Sequence, residues 1–324
     1  MDEKKLKALE ELENQQKGID GEETVNSEEI KKENKKIVSE DNTPSTIDGY
    51  KEVLRKDLPQ EGKLYPESWR IFYRCPESKE VANFSTIDEN DNIAIMMAIE
   101  DLIRKCFVIV DSNNGNRVSS GELIDGQRMF FLLLLREYYL PGKFISYNTM
   151  CVSCKEPVEV HLTAKSLRYK DITDKFLESY DGRNADVNIS TKEGMVNIKF
   201  VVPTLNTASR VFRYMINTYK KAQGNDGVKK DKEVFDKQFL LIVNFLYETG
   251  HETIEQLKHK FNNIKKDGKL LEAYVILANN FKMDNYETIY FTHDCGSEEE
   301  AQIKFPGGWK GMFIDESSVE ELFG

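Results

Sequence analysis

Aromatic side chains are absent from the first 47 residues, where Glu, Lys, Asp and Asn dominate. A segment of this composition cannot bury enough apolar surface to offset the entropy lost on ordering. We therefore expect residues 1–47 to form an acidic arm that is disordered alone or is ordered by a partner. Leu6, Leu9 and Leu12 lie at near-helical spacing, which favours a short helix against such a partner.

Long apolar runs are also missing. No apolar run is longer than Met129–Leu135, which is far too short to span a bilayer, and the N-terminus leads into charged residues without the apolar stretch of a signal peptide. The sequence thus predicts a chain that is neither secreted through a signal peptide nor inserted in a membrane. We expect it to be made in the cytoplasm.

A surplus of basic residues is lacking, because the net charge is -11 and the pI is about 5.1. Nucleic-acid binders usually carry excess Lys and Arg on one face, so this balance argues against nucleic acid as a partner but leaves room for a local basic patch. Five cysteines in so long a chain form no disulfide framework. An odd count with one Cys-x-x-Cys indicates a reducing compartment.

Familiar catalytic motifs are missing too: the sequence contains no Walker-type loop, His-Glu-x-x-His or Gly-x-Ser-x-Gly. His251 and His259 are eight residues apart rather than four, and His161 lies on a predicted strand with its side chain outward. The prediction is a non-enzyme. An enzyme whose site assembles only in the folded chain stays as an alternative.

What is present predicts an α+β fold, with enough apolar chain for two packed cores. The N-terminal part is expected to contain a strand and a helical core. Its predicted elements are an ordered extended loop at 57–66, a strand at 69–75, a helix at about 90–105 capped near Ser85–Asp88, and a buried helix at 125–139. Cys106 falls on the apolar stripe of the first helix, so we predict that it belongs to the core.

The middle of the chain reads as an inserted, mainly helical domain. The pattern predicts a hairpin at 187–202, helices at 207–221, 232–248, 253–261 and 269–280, and an exposed, partly basic loop at 224–230. The predicted division is an arm at 1–47, an N-terminal α+β domain at 48–162, the helical insertion at 163–288, and a C-terminal part at 289–324.

Two turns on either side of this insertion have the sequence form of a zinc knuckle. Cys151-Val-Ser-Cys154 precedes the alternating stretch Pro157–Leu162, and Thr292-His-Asp-Cys295-Gly precedes Ala301–Phe305. Two thiolates on a tight turn that opens a hairpin suit tetrahedral zinc. The two distant segments are therefore predicted to form one zinc-ribbon-like β element and could pair as one ribbon.

A closed structural zinc site needs four ligands, and Cys-x-x-Cys spacing would put the third at position 292, which is Thr. His293, one residue away, can take its place, so the predicted ligands are Cys151, Cys154, His293 and Cys295. The alternative is a ribbon that holds no metal and is stabilised by packing. If a metal is present, it is predicted to be one structural zinc, because nothing in the sequence selects an open catalytic position.

The order of several motifs resembles a known family. Residues 58–66 read Leu-Pro-Gln-Glu-Gly-Lys-Leu-Tyr-Pro; a strand, Ser85-Thr86 before a helix, Gly126–Leu133 and Cys151-x-x-Cys154 follow. In this order they resemble the T4-type bacteriophage baseplate hub and assembly protein family over roughly residues 57–305. That family opens with Leu-Pro-Ser-Lys-Gly-x-x-Tyr-Pro and has paired Cys-x-x-Cys turns around a helical middle. This chain differs in its Gln-Glu pair, in Thr292 and in its acidic arm.

The resemblance implies a structural or assembly component of a contractile-tailed phage baseplate. Its expected partners are other phage tail and baseplate proteins, and its expected location is the virion tail. Extended surfaces and arms that order on contact suit such a role. A zinc-ribbon nucleic-acid-binding protein is the main alternative.

Overall fold

The computed structural model describes residues 47–167, 169, 171–224, 237–248, 252–281, 288–302, 305 and 308–313. The predictions for the arm up to residue 46, for most of the loop at 224–230 and for His251 lie outside these ranges. Helices and antiparallel sheets both occur in the described residues, so the predicted α+β class is confirmed.

The secondary structure follows the chain in this order: β1 (Lys51–Val53), β2 (Trp69–Tyr73), α1 (Ser78–Ser85), α2 (Asn92–Cys106), β3 (Phe107–Asp111), β4 (Arg117–Val118), α3 (Arg128–Tyr139), β5 (Ile145–Met150), β6 (Pro157–Leu162), α4 (Asp174–Ser179), β7 (Asn184–Thr191), β8 (Gly194–Val201), α5 (Leu205–Gly224), α6 (Lys237–Ile242), α7 (Ile254–Lys266), α8 (Gly268–Phe281), β9 (Thr288–Thr292) and β10 (Glu298–Gln302). Short 3-10 turns connect several of them. β1 to β4 form one antiparallel sheet in that order, and the other six strands form three hairpins.

Ile71 marks the centre of the four-stranded sheet. It is paired with Val53 on one side and Ile109 on the other, and all three side chains are buried. Residues that are paired across neighbouring antiparallel strands lie on the same face of the sheet, so this row gives the sheet an apolar face. The strand predicted at 69–75 is therefore present as β2.

The first predicted helix exists as α2, with Ile95, Ile99, Leu102 and Cys106 buried along one side. The expected cap at Ser85–Asp88 is wrong, because Ser85 ends α1 and the Asp91 carboxylate accepts the Ala94 N–H (3.1 Å) at the start of α2. Cys106 is fully buried, as predicted.

The second predicted helix begins with a 3-10 turn at Asp125–Gln127 and continues as α3. It is buried on nearly all sides, Arg128 included. The Arg128 guanidinium pairs with Asp125 and lies 3.7 Å from Glu100 Oε2 on α2. Opposite charges placed together in this way limit the cost of burying Arg128.

The loop predicted at 57–66 is ordered, but it is coiled rather than extended. Residues 55–57 and 59–62 form 3-10 turns, and Gln60 and Glu61 have positive φ. Arg55 holds this conformation by donating to the carbonyls of Gly62 (2.9 Å), Tyr65 (2.7 Å) and Pro66 (3.0 Å). A side chain that binds three carbonyls at once offsets the unfavourable backbone angles.

The insertion contains its predicted hairpin as β7 and β8, and the helices expected at 207–221, 253–261 and 269–280 as α5, α7 and α8. The helix expected at 232–248 is described only from residue 237, where α6 ends at Ile242 and a 3-10 turn continues through Leu246. Buried side chains from residues 48–162, from the insertion and from the C-terminal Met312 and Phe313 belong to one hydrophobic cluster. The insertion therefore packs directly on the N-terminal part.

Candidate metal site

The four predicted ligands meet at the tips of two hairpins. Cys151 and Cys154 lie in the turn between β5 and β6, and His293 and Cys295 lie in the turn between β9 and β10. Their ligand atoms all lie within 4.8 Å of one another, although Cys151 and Cys295 are 144 residues apart in the sequence. This cluster of four side chains could hold a metal ion.

Three distances between these atoms are close to those expected around a tetrahedral metal. Cys151 Sγ and Cys295 Sγ are 3.8 Å apart, and His293 Nδ1 lies 3.3 Å from Cys154 Sγ and 3.2 Å from Cys295 Sγ. With zinc–sulfur bonds of about 2.3 Å and zinc–nitrogen bonds of about 2.0 Å, tetrahedral angles place two sulfurs about 3.8 Å apart and a nitrogen and a sulfur about 3.5 Å apart. Three thiols and one imidazole in this arrangement fit the donor set of structural zinc.

The second turn is tighter than the first, which explains how His293 replaces a cysteine at position 292. In the first turn the Cys151 N–H donates to Glu156 O, five residues on, at 3.0 Å. In the second, the His293 N–H donates to Ser297 O, four residues on, at 3.0 Å. The second turn therefore begins one residue later, so that His293 occupies the place of Cys151.

A residue with positive φ follows the second cysteine of each turn. Lys155 has φ 65° and Gly296 has φ 82°. The left-handed conformation turns the chain back toward the hairpin. It is unfavourable for Lys155, which has a Cβ atom, but not for Gly296. The two tips are therefore variants of one geometry.

Sequence reasoning missed Ser297. Its hydroxyl lies 3.0 Å from Cys295 Sγ and 3.4 Å from Cys151 Sγ, so it contacts one thiol from each hairpin. The available signal was its place two residues after Cys295, where the turn brings it back to the ligands. A hydroxyl in this position can donate to a thiolate and orient it.

Hydrogen bonding favours the thiolate form of Cys295. Contacts with the Ser297 hydroxyl and then with His293 lower the pKa of Cys295 to about 6. The contact with Cys295 in turn raises the pKa of His293. The thiolate is the form of Cys295 that binds metal, whereas His293 must lose its proton to bind, so metal binding releases protons from the cluster.

The two hairpins do not pair as one ribbon in the described residues. β5 and β6 form one two-stranded sheet, β9 and β10 form another, and no strand hydrogen bonds join them. The side chains at their tips meet instead. Cys151 is buried there, whereas Cys154 and Cys295 are exposed.

The remaining candidate residues lie away from this cluster. His161 is exposed on β6, as predicted, and its Nδ1 is 2.8 Å from the Ser146 hydroxyl. His259 is exposed on α7, and Cys75 is half-buried beside α1. Among the described residues, Cys151, Cys154, His293 and Cys295 form a group that could hold a metal.

In the ranges that the structure describes, no helix combines the length and the apolar character that crossing a bilayer requires. The resemblance to the baseplate family stays a prediction from motif order. No protein-family model, curated protein or solved structure matches this chain.

Proposed function

We propose that Cys151, Cys154, His293 and Cys295 bind one structural zinc ion, and that the protein is a non-catalytic component of a contractile-tailed phage baseplate. The observation that carries the zinc proposal is the convergence of four soft ligands from two hairpins 144 residues apart. Thiolate and imidazole ligands suit zinc, whereas magnesium and calcium take oxygen ligands.

The ligand count supports a structural role for the ion. Four protein ligands complete the tetrahedron and leave no position for a reacting water. The chemistry that the ion supplies is a crosslink between the turn at 151–154 and the turn at 293–295. Such a crosslink fixes both ends of the helical insertion on the N-terminal part.

The baseplate proposal rests on the order of the motifs along the chain. Contacts between two of these motifs in the folded protein support it. Tyr65, in the Leu-Pro-x-x-Gly-x-x-Tyr-Pro segment, is buried, donates to Gln127 Oε1 (2.7 Å) and accepts the Ile124 N–H (3.1 Å). Two of the matching segments, 58–66 and 126–133, therefore contact each other. We infer that the protein acts through contacts with other phage tail and baseplate proteins.

The composition around the cluster argues against the nucleic-acid alternative. Glu156, Asp294 and Glu298 are exposed beside the ligands. Carboxylates here would repel a phosphate backbone. A nucleic-acid binder would retain DNA or RNA at low salt with a steep salt dependence, and this measurement separates the two proposals.

The baseplate role is tested by quantitative mass spectrometry of purified virions and of tail-assembly intermediates from the phage that encodes the chain. The expected result is a fixed ratio of this protein to known baseplate proteins. Presence only in the intermediates would restrict the role to assembly. Absence from both fractions would refute the proposal.

A further inference from the structure

The metal cluster contains two thiols from different hairpins that are close enough to bond to each other. Cys151 Sγ and Cys295 Sγ are 3.8 Å apart. A disulfide bond is about 2.0 Å long, so the two sulfurs have to approach by less than about 2 Å. Both cysteines lie in turns beyond the last paired residues of their strands, so this approach need not disturb the strand pairing.

The two thiols differ in their access to solvent. Cys295 is exposed, whereas Cys151 is buried. An oxidant in solution therefore reaches Cys295 first, while Cys151 is shielded from direct attack. A sulfenic acid that forms on an exposed cysteine condenses with a neighbouring thiol. The buried Cys151 is placed to be that neighbour.

The Ser297 hydroxyl favours this pair of thiols within the cluster. It lies 3.0 Å from Cys295 Sγ and 3.4 Å from Cys151 Sγ, so it is beside both reacting atoms. The third thiol, Cys154, has His293 Nδ1 as a neighbour at 3.3 Å. A hydroxyl beside both sulfurs can donate a hydrogen bond to the oxygen that leaves when they bond.

The chemistry balances with hydrogen peroxide as the oxidant. The Cys295 sulfur attacks one peroxide oxygen and becomes a sulfenic acid, while the O–O bond breaks and the other oxygen leaves as water. The Cys151 sulfur then attacks the Cys295 sulfur, which forms the S–S bond, breaks the S–O bond and releases the second water. Two thiols thus lose two electrons and two protons, and one peroxide becomes two waters.

We propose that Cys151 and Cys295 form a disulfide under oxidising conditions, and that this bond replaces zinc as the crosslink between the hairpins at 145–162 and 288–302. A sulfur in a disulfide is no longer a thiolate ligand, so oxidation removes two of the four ligands and releases the ion. The inference rests on the proposed function, in which the protein passes from the reducing cytoplasm into a virion outside the cell, where thiols are not kept reduced.

Peptide mapping of the full chain tests which thiols react. Zinc-loaded protein is treated with equimolar hydrogen peroxide, its free thiols are blocked with N-ethylmaleimide, and it is digested with trypsin without reduction. Residues 144–155 contain Cys151 and Cys154, and residues 283–304 contain Cys295. The expected product joins these two peptides and carries the blocking group on Cys154. A zinc-binding dye should report one zinc ion released for each disulfide formed.

Two variants form a matched pair, because each removes one exposed thiol of the same cluster. Cys154→Ser is expected to keep the disulfide between the hairpins, and Cys295→Ser is expected to lose it. Both are compared with the parent in metal-free form, so that differences in zinc affinity do not affect the yield. Cys75→Ser, outside the cluster, should give the same yield as the parent.

Hydrogen exchange tests whether the bond takes over the role of the ion. In oxidised, zinc-free protein, the two hairpins are expected to exchange within about threefold of the rate in the zinc-loaded protein. In reduced, zinc-free protein they should exchange at least about tenfold faster, because nothing then joins their tips. Dithiothreitol and zinc added together should restore the original state, since a disulfide is reversible.

The inference is overturned if peroxide leaves all three thiols free, if the main disulfide contains Cys154, or if the oxidised hairpins exchange as fast as the reduced, zinc-free ones. Zinc content measured before oxidation keeps this result separate from the proposed function. Zinc-loaded protein that forms no disulfide counts against this inference alone. Protein that forms the disulfide but never takes up zinc counts against the four-ligand zinc site.

Discussion

At the scale of single residues, Gly121 has the closest neighbours of the glycines in the described residues. A Cβ atom added there would clash with Asn206 Oδ1 on α5 and Arg104 Nη1 on α2. The other guanidinium nitrogen of Arg104, Nη2, donates a hydrogen bond to Asn206 Oδ1 (3.0 Å). Gly121→Ala is expected to lower the free energy of unfolding by about 2 kcal/mol, because the two side-chain ends can move away only by breaking the Arg104–Asn206 hydrogen bond, and a hydrogen bond to a charged group is worth about 1.5–3 kcal/mol. Chemical denaturation measures it.

The matched control is Gly268→Ala, at the first residue of α8, where an added Cβ meets no atom within 4 Å. This variant should be as stable as the parent or slightly more stable, because alanine restricts the unfolded chain. Equal stability losses in the two variants would contradict the packing described around Gly121.

Glu80 is a second residue whose contacts make a measurable prediction. Burial pulls its pKa upward, but bidentate hydrogen bonds from Arg74 (2.9 and 2.6 Å) and the Glu77 N–H outweigh burial and hold the pKa below its ordinary value. A carboxyl whose pKa is lowered in the folded state adds stability above its unfolded pKa, about 4.3, and this stability is lost as the pH falls through the folded pKa.

Glu80→Gln should therefore destabilise the protein at neutral pH by about 2 kcal/mol, the size of a hydrogen bond to a charged group. It should also reduce the loss of stability on acidification from about pH 5 to about pH 3. Denaturation curves across this range provide the measurement, with the exposed Glu193→Gln as control. An unchanged acid profile in Glu80→Gln would contradict the ion pair.

At the scale of elements, the two hairpin tips show how far sequence can lead. The spacing of Cys151, Cys154 and Cys295 predicted both turns, and the structure brings these residues together with His293. The spacing did not predict that the second turn is one residue shorter than the first, or that the Ser297 hydroxyl contacts both thiols. These two features depend on backbone hydrogen bonds, which a sequence pattern does not show. α1 was missed because it buries only Val81 and Phe84, a weak signal for periodicity.

Ser297 gives the element-scale prediction. Its hydroxyl contacts Cys151 and Cys295, one on each hairpin, so Ser297→Ala should weaken zinc binding about tenfold, as is common when a group that orients metal ligands is removed. Competition with a zinc-binding dye measures the affinity. Ser190→Ala, at an exposed position of β7, should leave it unchanged. Equal affinities in both variants would show that Ser297 does not support the ligands.

At the scale of the whole molecule, the predicted boundaries near residues 162 and 288 do not separate hydrophobic cores. Phe200 and Phe245 of the insertion belong to the same cluster as Phe131 of α3. Composition and periodicity identify apolar faces, but they carry no information on which face meets which. The α+β class was therefore predictable, and the joining of the parts through one core was not.

Zinc removal tests how the ion contributes to the stability of the folded chain. A ligand present at about a thousand times its dissociation constant stabilises the folded state by about 4 kcal/mol, so chelation should lower the midpoint of thermal unfolding. Hydrogen exchange should rise first in residues 145–162 and 288–302, while α2 and α3, which lie in the main core, stay protected. Uniform deprotection would show that the ion stabilises the fold as a whole rather than the hairpin tips.

The zinc content of the purified protein, measured by mass spectrometry of the elements, tests the central claim most directly. Cys151 is the buried ligand of the cluster, whereas Cys75 lies outside it. The account predicts one zinc per chain in the parent protein and in Cys75→Ser, and loss of that zinc in Cys151→Ser. Full zinc content in Cys151→Ser, or no zinc in parent protein prepared with zinc present, would contradict it.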